Sequence, residues 1–377
     1  MTRAGDEAAG PAVLLTIATL GGSPARGALL MAALTASAAL GGPILGAALD
    51  RMRRPKLGYL AGLATMAGGL AVLAAGIDHL SLAVLLAAGL SAGIAQPMFS
   101  GGWTGQLTRI VGTAEFTRAA ALDAATYDVG GIAGPALAAA ALAIGPRAPI
   151  VACVGMLLAA APVLCAMQVW AGGTDRPTLR QEVAAGARTL LRRPALRRMT
   201  LLSTLQHGGM AGRTIAAPLL ARHLTGGVAL AGVLLSVSAA ASLVSSIVLT
   251  RRTLPLAPET TALLATAVTA TTVALLAIPS PLWIVVVLFG LGGAVDAPLL
   301  TSVFAVRNSE TPAALRTQVF ATAASLKTSA YAGTTALFGL VAAAGATPCL
   351  LLSGGVQLLG IAGAVRRNRE PVPVTVD

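Results

Sequence analysis

Aromatic side chains are scarce in this sequence: Phe, Trp and Tyr together make up 3% of it. That leaves no basic stripe interleaved with aromatics of the kind that binds nucleic acid. It also makes a large aromatic cage around a bulky cation hard to build. Charge is scarce as well, at 11% of residues against about 25% in a soluble domain. Cysteine is limited to Cys153, Cys165 and Cys349, each isolated in an apolar run. Their spacing spells neither a metal site nor a disulfide framework, and buried inert thiols are expected. No G-x-x-x-x-G-K-[S/T] segment occurs, so ATP is not expected to drive the protein alone. No metal-ligand cluster or nucleophile–base arrangement is legible, which argues against an enzyme and against a bound metal or cofactor.

What is there is apolar. Of 377 residues 56% are hydrophobic, and the mean hydropathy is +0.81. The chain is expected to be an all-α integral membrane protein with the lipid bilayer as its surroundings. The net charge of +12 comes from short basic clusters between apolar runs, where the orientation rule of membrane proteins explains them. Nucleic acid is not expected as a partner.

Runs long enough to cross about 30 Å of hydrocarbon predict twelve spans. They fall at roughly 8–24, 26–48, 57–77, 80–107, 117–145, 148–171, 198–222, 227–249, 259–279, 281–305, 313–345 and 347–365. Pro97, Pro135, Pro162 and Pro298 lie inside spans, tolerable as kinks whose carbonyls neighbours satisfy. On this threading 21 basic residues lie on one side, Arg3, Arg54, Arg307 and Arg316 among them, and three on the other: Arg26, Arg147 and Arg222. The bias puts both termini in the cytoplasm. Trp170 and Trp283 at span ends read as interfacial anchors, and Trp103 as a packing residue. The first span is the weak one. Pro11 to Leu20 is a short run preceded by Asp6 and Glu7. The acidic start argues against a signal peptide; a short or truncated first helix is expected. If it fails to span, the N-terminus lies outside.

Two weak internal matches share one offset of 200 residues. One sets Asp50-Arg51 against Thr250-Arg251. The other sets GIAQPMFS (93–100) against GAVDAPLL (293–300), placing Gln96 opposite Asp296. Together they predict two six-helix pseudo-repeats: an N-terminal half over 1–172, a cytoplasmic linker over 173–196 and a C-terminal half over 197–377. The linker can form an amphipathic helix with Leu179, Val183, Leu190 and Leu191 roughly on one side, lying at the lipid headgroups.

Ionisable residues inside spans are functional candidates by default. They are Asp123, Asp128, His207, Arg213, Asp296 and Lys327. At a rise of about 1.5 Å per residue, Asp128, Arg213, Asp296 and Lys327 lie about 15–22 Å from the cytoplasmic ends of their spans, near the midplane. Asp123 and His207 are shallower, Asp123 within reach of Arg118 or Arg109 and His207 as a packing residue. Two acids and two bases at one depth neutralise each other. One reading is a substrate and proton site in which Asp128 and Asp296 titrate while Arg213 and Lys327 tune them or bind an anionic group. The other is a pair of static interhelical salt bridges. Tyr127, Tyr331 and Thr328 lie within a turn of these charges, and either orient a substrate or pack.

Residues 46–56, Gly46-Ala-Ala-Leu-Asp50-Arg51-Met-Arg53-Arg54-Pro55-Lys56, resemble the G-x-x-x-D-R-x-G-R-R/K signature of the major facilitator superfamily. Gly46, Asp50, Arg51 and Arg54 match; Arg53 replaces a glycine, and Pro55 stands where a basic residue is usual. The resemblance covers nearly the whole chain and implies a charged cytoplasmic gate between the two halves. Gly130, Gly131, Gly134 and Pro135 are similar to the fifth-helix signature of its drug/proton antiporters, with Ala138 and Ala139 in place of the last glycines. Leu190 to Arg198 resemble the linker of bacterial exporters in this superfamily. The usual arginine of the fourth helix is missing from 80–107. What the resemblance implies is a monomeric secondary transporter in a bacterial plasma membrane. It would export a small amphiphilic molecule in exchange for protons by alternating access, and the polar residues read above, Asp128, Asp296, Arg213, Lys327, Tyr127 and Gln96, are the candidate substrate and proton site. Two alternatives stay open: an importer of a small organic anion or sugar, and a non-transporting relative.

Overall fold

The computed structural model describes residues 2–99, 126, 129–131, 133–134, 136–167, 179–251, 255–311 and 316–366. A few side chains within these helices, those of Gly46, Asp50, Arg51 and Arg316 among them, fall outside that description. Asp123, Tyr127, Asp128, Pro135, Trp103 and Trp170 lie outside the described residues altogether.

Besides the fifth expected span, the described residues form thirteen α-helices and no strand. They are α1 (Thr2–Thr19), α2 (Pro24–Arg51), α3 (Pro55–Gly76), α4 (Leu82–Ile94) and α5 (Ala148–Ala166). After α6 (Leu179–Arg192) come α7 (Pro194–Thr225), α8 (Ala229–Arg251), α9 (Pro258–Leu275), α10 (Leu282–Ala294), α11 (Asp296–Glu310), α12 (Arg316–Val341) and α13 (Ala346–Arg366). The fifth expected span is helical where it is described, over Val129–Ala141. The face bearing the α1–α2 connection is termed outer and the opposite face inner, after the orientation expected from the charge bias.

The helix ends follow local chemistry. Pro55, Pro194 and Pro258 open α3, α7 and α9, where a missing N–H costs nothing. Ser81 caps α4 by accepting from the Val84 N–H at 3.5 Å,. Gly21 (φ 76°) and Gly226 (φ 71°) turn the chain after α1 and α7, a left-handed conformation that a side chain would oppose. Within the described residues, five stretches are long and apolar enough to cross a membrane: Pro55–Gly76, Ala148–Ala166, Ala229–Leu249, Leu282–Glu310 and Ala346–Val365. The helices α1, α7 and α12, which carry Asp6, Arg213 and Lys327, are not among them. Their polarity is held inside the bundle, where other helices rather than lipid surround it.

Two helices share an interruption. α4 stops at Ile94 with Ala95 as its C-cap, and α10 stops at Ala294 with Val295 as its C-cap. Pro97 and Pro298 explain both. Each lacks the N–H that would bond four residues back, to Gly93 and to Ala294, so the ladder loosens there. Beside each break the backbone runs close to a neighbour. A side chain on Gly93 would strike the Leu34 carbonyl and Ser37 of α2; one on Gly293 would strike the Ser238 carbonyl of α8.

Helices α3 and α4 pack on each other, and α5 packs on α1 and α3; α7, α9 and α13 form a second group, joined through α9 to α10 and α11. The broadest contact between the two groups is α2 against α12. On the outer side Gly339 of α12 meets Ala28 of α2, and Leu14, Ile17, Pro218, Leu219 and Arg222 surround a small void between α1, α2 and α7. The outer ends of the two groups are thus in contact.

Three expectations need correction. The first helix runs from Thr2, not from residue 8, because its early turns are already packed: Arg3, Gly5, Ala8 and Ala9 are buried. Arg3 is therefore not an orientation charge in a loop. Its guanidinium bonds Thr126. Arg307 is likewise not in a loop, because α11 continues to Glu310 and leaves Arg307 3% exposed. The amphipathic linker helix exists as α6, but Leu190 and Leu191 do not share a face. Leu190 packs with Leu196, Val319 and Ala323, whereas Leu191 is 65% exposed, as adjacent helical positions 100° apart require.

Candidate functional site

Arg213 of α7 is 5% exposed, and its Nη2 lies 3.6 Å from Oδ2 of Asp296. The break at Val295 makes Asp296 the first residue of α11, where the positive end of the helix dipole favours a carboxylate. Gly292 leaves room for the guanidinium: a Cβ there would lie 2.6 Å from Nη1. The Phe289 ring closes the apolar side, 6.0 Å from the guanidinium carbon. One ion pair does not exhaust either group. Nη1 of Arg213 and Oδ1 of Asp296 are buried with no hydrogen-bond partner among the described residues. A buried polar atom left unsatisfied costs about 1–3 kcal/mol, which a bound solute or water would recover.

Lys327 of α12 is partly buried and lies within electrostatic reach of Asp296, His207 and Arg307. Arg307 Nη2 donates to Ser203 Oγ at 3.1 Å, its guanidinium carbon stands 6.0 Å from the Phe320 ring, and its Nε is unpartnered among the described residues. His207 packs on Tyr331 with ring centroids 5.1 Å apart. Tyr331 in turn donates to Thr214 Oγ1 at 3.5 Å. Arg213, Asp296 and Lys327, singled out from sequence, are thus gathered into one cluster. Counted from the outer ends of their helices they lie at about 18–21 Å depth, near the middle of a bilayer core of about 30 Å.

Gln96 does not join that cluster. It hydrogen-bonds Asp6 of α1, a residue that the sequence reading left outside the first span. Glu7 is the next residue, and it is exposed. Arg3 acts electrostatically on both acids. Asp6 and Gln96 also lie about 20 Å from the outer ends of their helices.

A sequence signal for these residues existed. Ala4-Gly5-Asp6-Glu7-Ala8-Ala9-Gly10-Pro11 matches Ala211-Gly212-Arg213-Thr214-Ile215-Ala216-Ala217-Pro218 at A-G-x-x-x-A-x-P, and sets Asp6 opposite Arg213. The packing agrees. A Cβ on Gly5 would lie 3.3 Å from the Cys153 carbonyl of α5, and one on Gly212 would lie 3.0 Å from the Cys349 carbonyl of α13. Each group therefore pairs the same position of its first helix with the residue after the interruption in its fourth: Asp6 with Gln96, and Arg213 with Asp296.

Two of the fifth-span glycines have a packing role. A Cβ on Gly130 would lie 3.2 Å from the Arg3 backbone, and one on Gly134 would lie 2.9 Å from the Ala8 nitrogen. One turn apart, they let α1 approach closely. Gly131 faces looser surroundings, 3.9 Å from Ala239. Of the expected gate residues, Arg54 is exposed immediately before α3; the Gly46, Asp50 and Arg51 side chains fall outside the description. A groove of about 580 Å³ between Val129–Ala141 and α8 is lined by alanine, valine, leucine and serine, Ser236 among them, with no charged residue in its described lining.

Residues 1–335 match the family description Major Facilitator Superfamily. No curated protein matches the sequence. Two solved structures of similar fold are a POT family transporter in complex with thioalcohol conjugated peptide and a POT family transporter in complex with 5-aminolevulinic acid. Each aligns with a TM-score of 0.73 at 12% identity, covering 96% of this chain and 92% of the other.

Proposed function

Since this chain belongs to the major facilitator superfamily, a family of multi-pass membrane transporters and not of enzymes, we propose that it is a proton-coupled secondary transporter that exports a small amphiphilic molecule. Its two pseudo-repeats, six spans each within the family's twelve, rock around the midplane cluster. The observation that carries the reading is the Arg213–Asp296 pair at 3.6 Å with unpartnered atoms on both groups. A static bridge would use its polar atoms up; this one keeps donor and acceptor capacity.

The repeat reading is supported by the matching interruptions at Ala95 and Val295 and by the matching glycine contacts of α1 and α7. The halves, 1–172 and 197–377, are joined through the linker 173–196. Export is favoured by the fit of Gly130 and Gly134 against α1, the packing that the antiporter-like signature would serve. Asp128 and Tyr127 complete the site from the fifth span. Gly46, Asp50, Arg51 and Arg54 form the inner gate. The charge bias sets both termini in the cytoplasm of a bacterial plasma membrane, with the protein working as a monomer.

Full-length protein in liposomes, with an imposed pH gradient, tests this. Solute flux should follow the gradient and collapse with a protonophore, and Asp128→Asn should uncouple it. Flux indifferent to the gradient would overturn proton coupling, and flux only into the cytoplasmic compartment would replace export by import.

A further inference from the structure

The interior charges are partitioned. Among the described residues, α1 offers two carboxylates, Asp6 and Glu7, against the single guanidinium of Arg3. Near the midplane, helices α7 and α12 offer two cations, Arg213 and Lys327, against the single carboxylate of Asp296 on α11, with Arg307 further along α11 toward the inner face,. Tyr331, which donates to Thr214 one residue from Arg213, is within electrostatic reach of both Glu7 and Arg213. Arg213 forms its ion pair with Asp296, not with Glu7. Unpartnered buried atoms occur on both sides: Oδ1 of Asp6 on one, Nη1 of Arg213 and Nε of Arg307 on the other.

On the reading that the cluster is a transport site, we propose that the transported molecule is a zwitterion, held with its cationic end toward Asp6 and Glu7 and its anionic end toward Arg213 and Lys327. A solute with one charge satisfies one side and leaves the other facing unbalanced charge in a medium of low dielectric. A zwitterion neutralises both, and its two ends supply what the unpartnered atoms lack: a donor for Asp6, and an acceptor for Arg213. With few aromatics at hand, recognition falls to charge placement. Glu7 is an exposed residue, so the cationic end has a partner that it can reach first.

The test uses three probes of one shape: leucyl-leucine, its N-acetyl derivative and its C-terminal amide. Each is offered to the full chain in liposomes under a pH gradient. Flux of the zwitterion should exceed that of either blocked form by about tenfold or more, the worth of one charge-assisted hydrogen bond. Glu7→Gln should lower zwitterion flux and shrink its advantage over the N-acetyl form; Lys327→Gln should lower zwitterion flux and shrink its advantage over the amide. Unliganded melting of each variant separates these losses from misfolding. Equal flux of a blocked form, or flux of none of the three, overturns the proposal. Gradient-driven flux of a singly charged amphiphile would overturn it while leaving the transporter reading intact. Absence of gradient-driven flux for every solute would overturn both.

Discussion

Asp6 with Gln96, and Arg213 with Asp296, occupy the same places in the two helix groups and differ in kind. The first is a carboxylate bonded to a neutral amide; the second is an ion pair. Around them the backbone scarcely changes. α4 spans Leu82–Ile94 and α10 spans Leu282–Ala294, each interrupted ahead of a proline. Backbone geometry at an interruption is fixed by the missing proline N–H and by the glycine contacts, so it tolerates little variation. The side chain just after the break faces the interior and is open to change. The difference teaches that scaffold and charge are separable here, and that the two groups diverge in the side chains at Gln96 and Asp296 rather than in the breaks themselves.

The largest effect should come from removing one member of the ion pair. Asp296→Asn strands Arg213 in the interior and should cost about 3 kcal/mol, seen as a lower melting temperature in detergent; exchanging the two, Arg213→Asp with Asp296→Arg, should recover most of it. In the other group, Asp6→Asn keeps a partner for Gln96 and should cost less than about 1 kcal/mol. Gln96→Asp, which sets two carboxylates side by side, should cost about 2 kcal/mol or more. Equal losses for Asp6→Asn and Asp296→Asn would erase the contrast.

The shared backbone predicts a matched pair. Gly93→Ala and Gly293→Ala each force a methyl into a neighbouring carbonyl and should each cost about 1–3 kcal/mol. Gly68→Ala, with open space around it, should stabilise by up to about 1 kcal/mol. The smallest effect lies outside the membrane, on the outer face. The hydrogen bond with His79, and after it that from Arg147 at 2.5 Å, hold the Asp78 carboxyl below the usual carboxylate range. Stability from that contact is present above the ordinary carboxylate pKa and is lost as pH falls through the lowered one. The groups are exposed, so the melting temperatures of wild type and Asp78→Asn should differ slightly near neutral pH and converge in acid.

Much of the scaffold was legible because apolar length and loop charge repeat along the chain. Arg213, Asp296 and Lys327 were legible for a related reason: a charge in an apolar run stands out. Asp6, Glu7 and Arg3 did not stand out. They precede the apolar run of the first helix, so composition assigned them to a loop, and only packing by Gly5, Gly130 and Gly134 shows why the helix extends over them. Arg307 was misplaced for the opposite reason. Apolarity fades before its helix ends, while Ser203 and the Phe320 ring sustain it inside. The 200-residue offset sets Gln96 opposite Asp296, and each follows a helix interruption, but the partner of Gln96 is marked only by a second match at A-G-x-x-x-A-x-P that periodicity does not expose.

The central claim is that the α7–α11 pair couples solute movement to protons. The most direct measurement is gradient-driven flux in liposomes for wild type, Asp296→Asn and Asp6→Asn at matched folded protein. The account predicts that Asp296→Asn retains solute exchange between equal pH compartments but loses its response to the pH gradient, while Asp6→Asn keeps that response. A gradient response that survives in Asp296→Asn would contradict it.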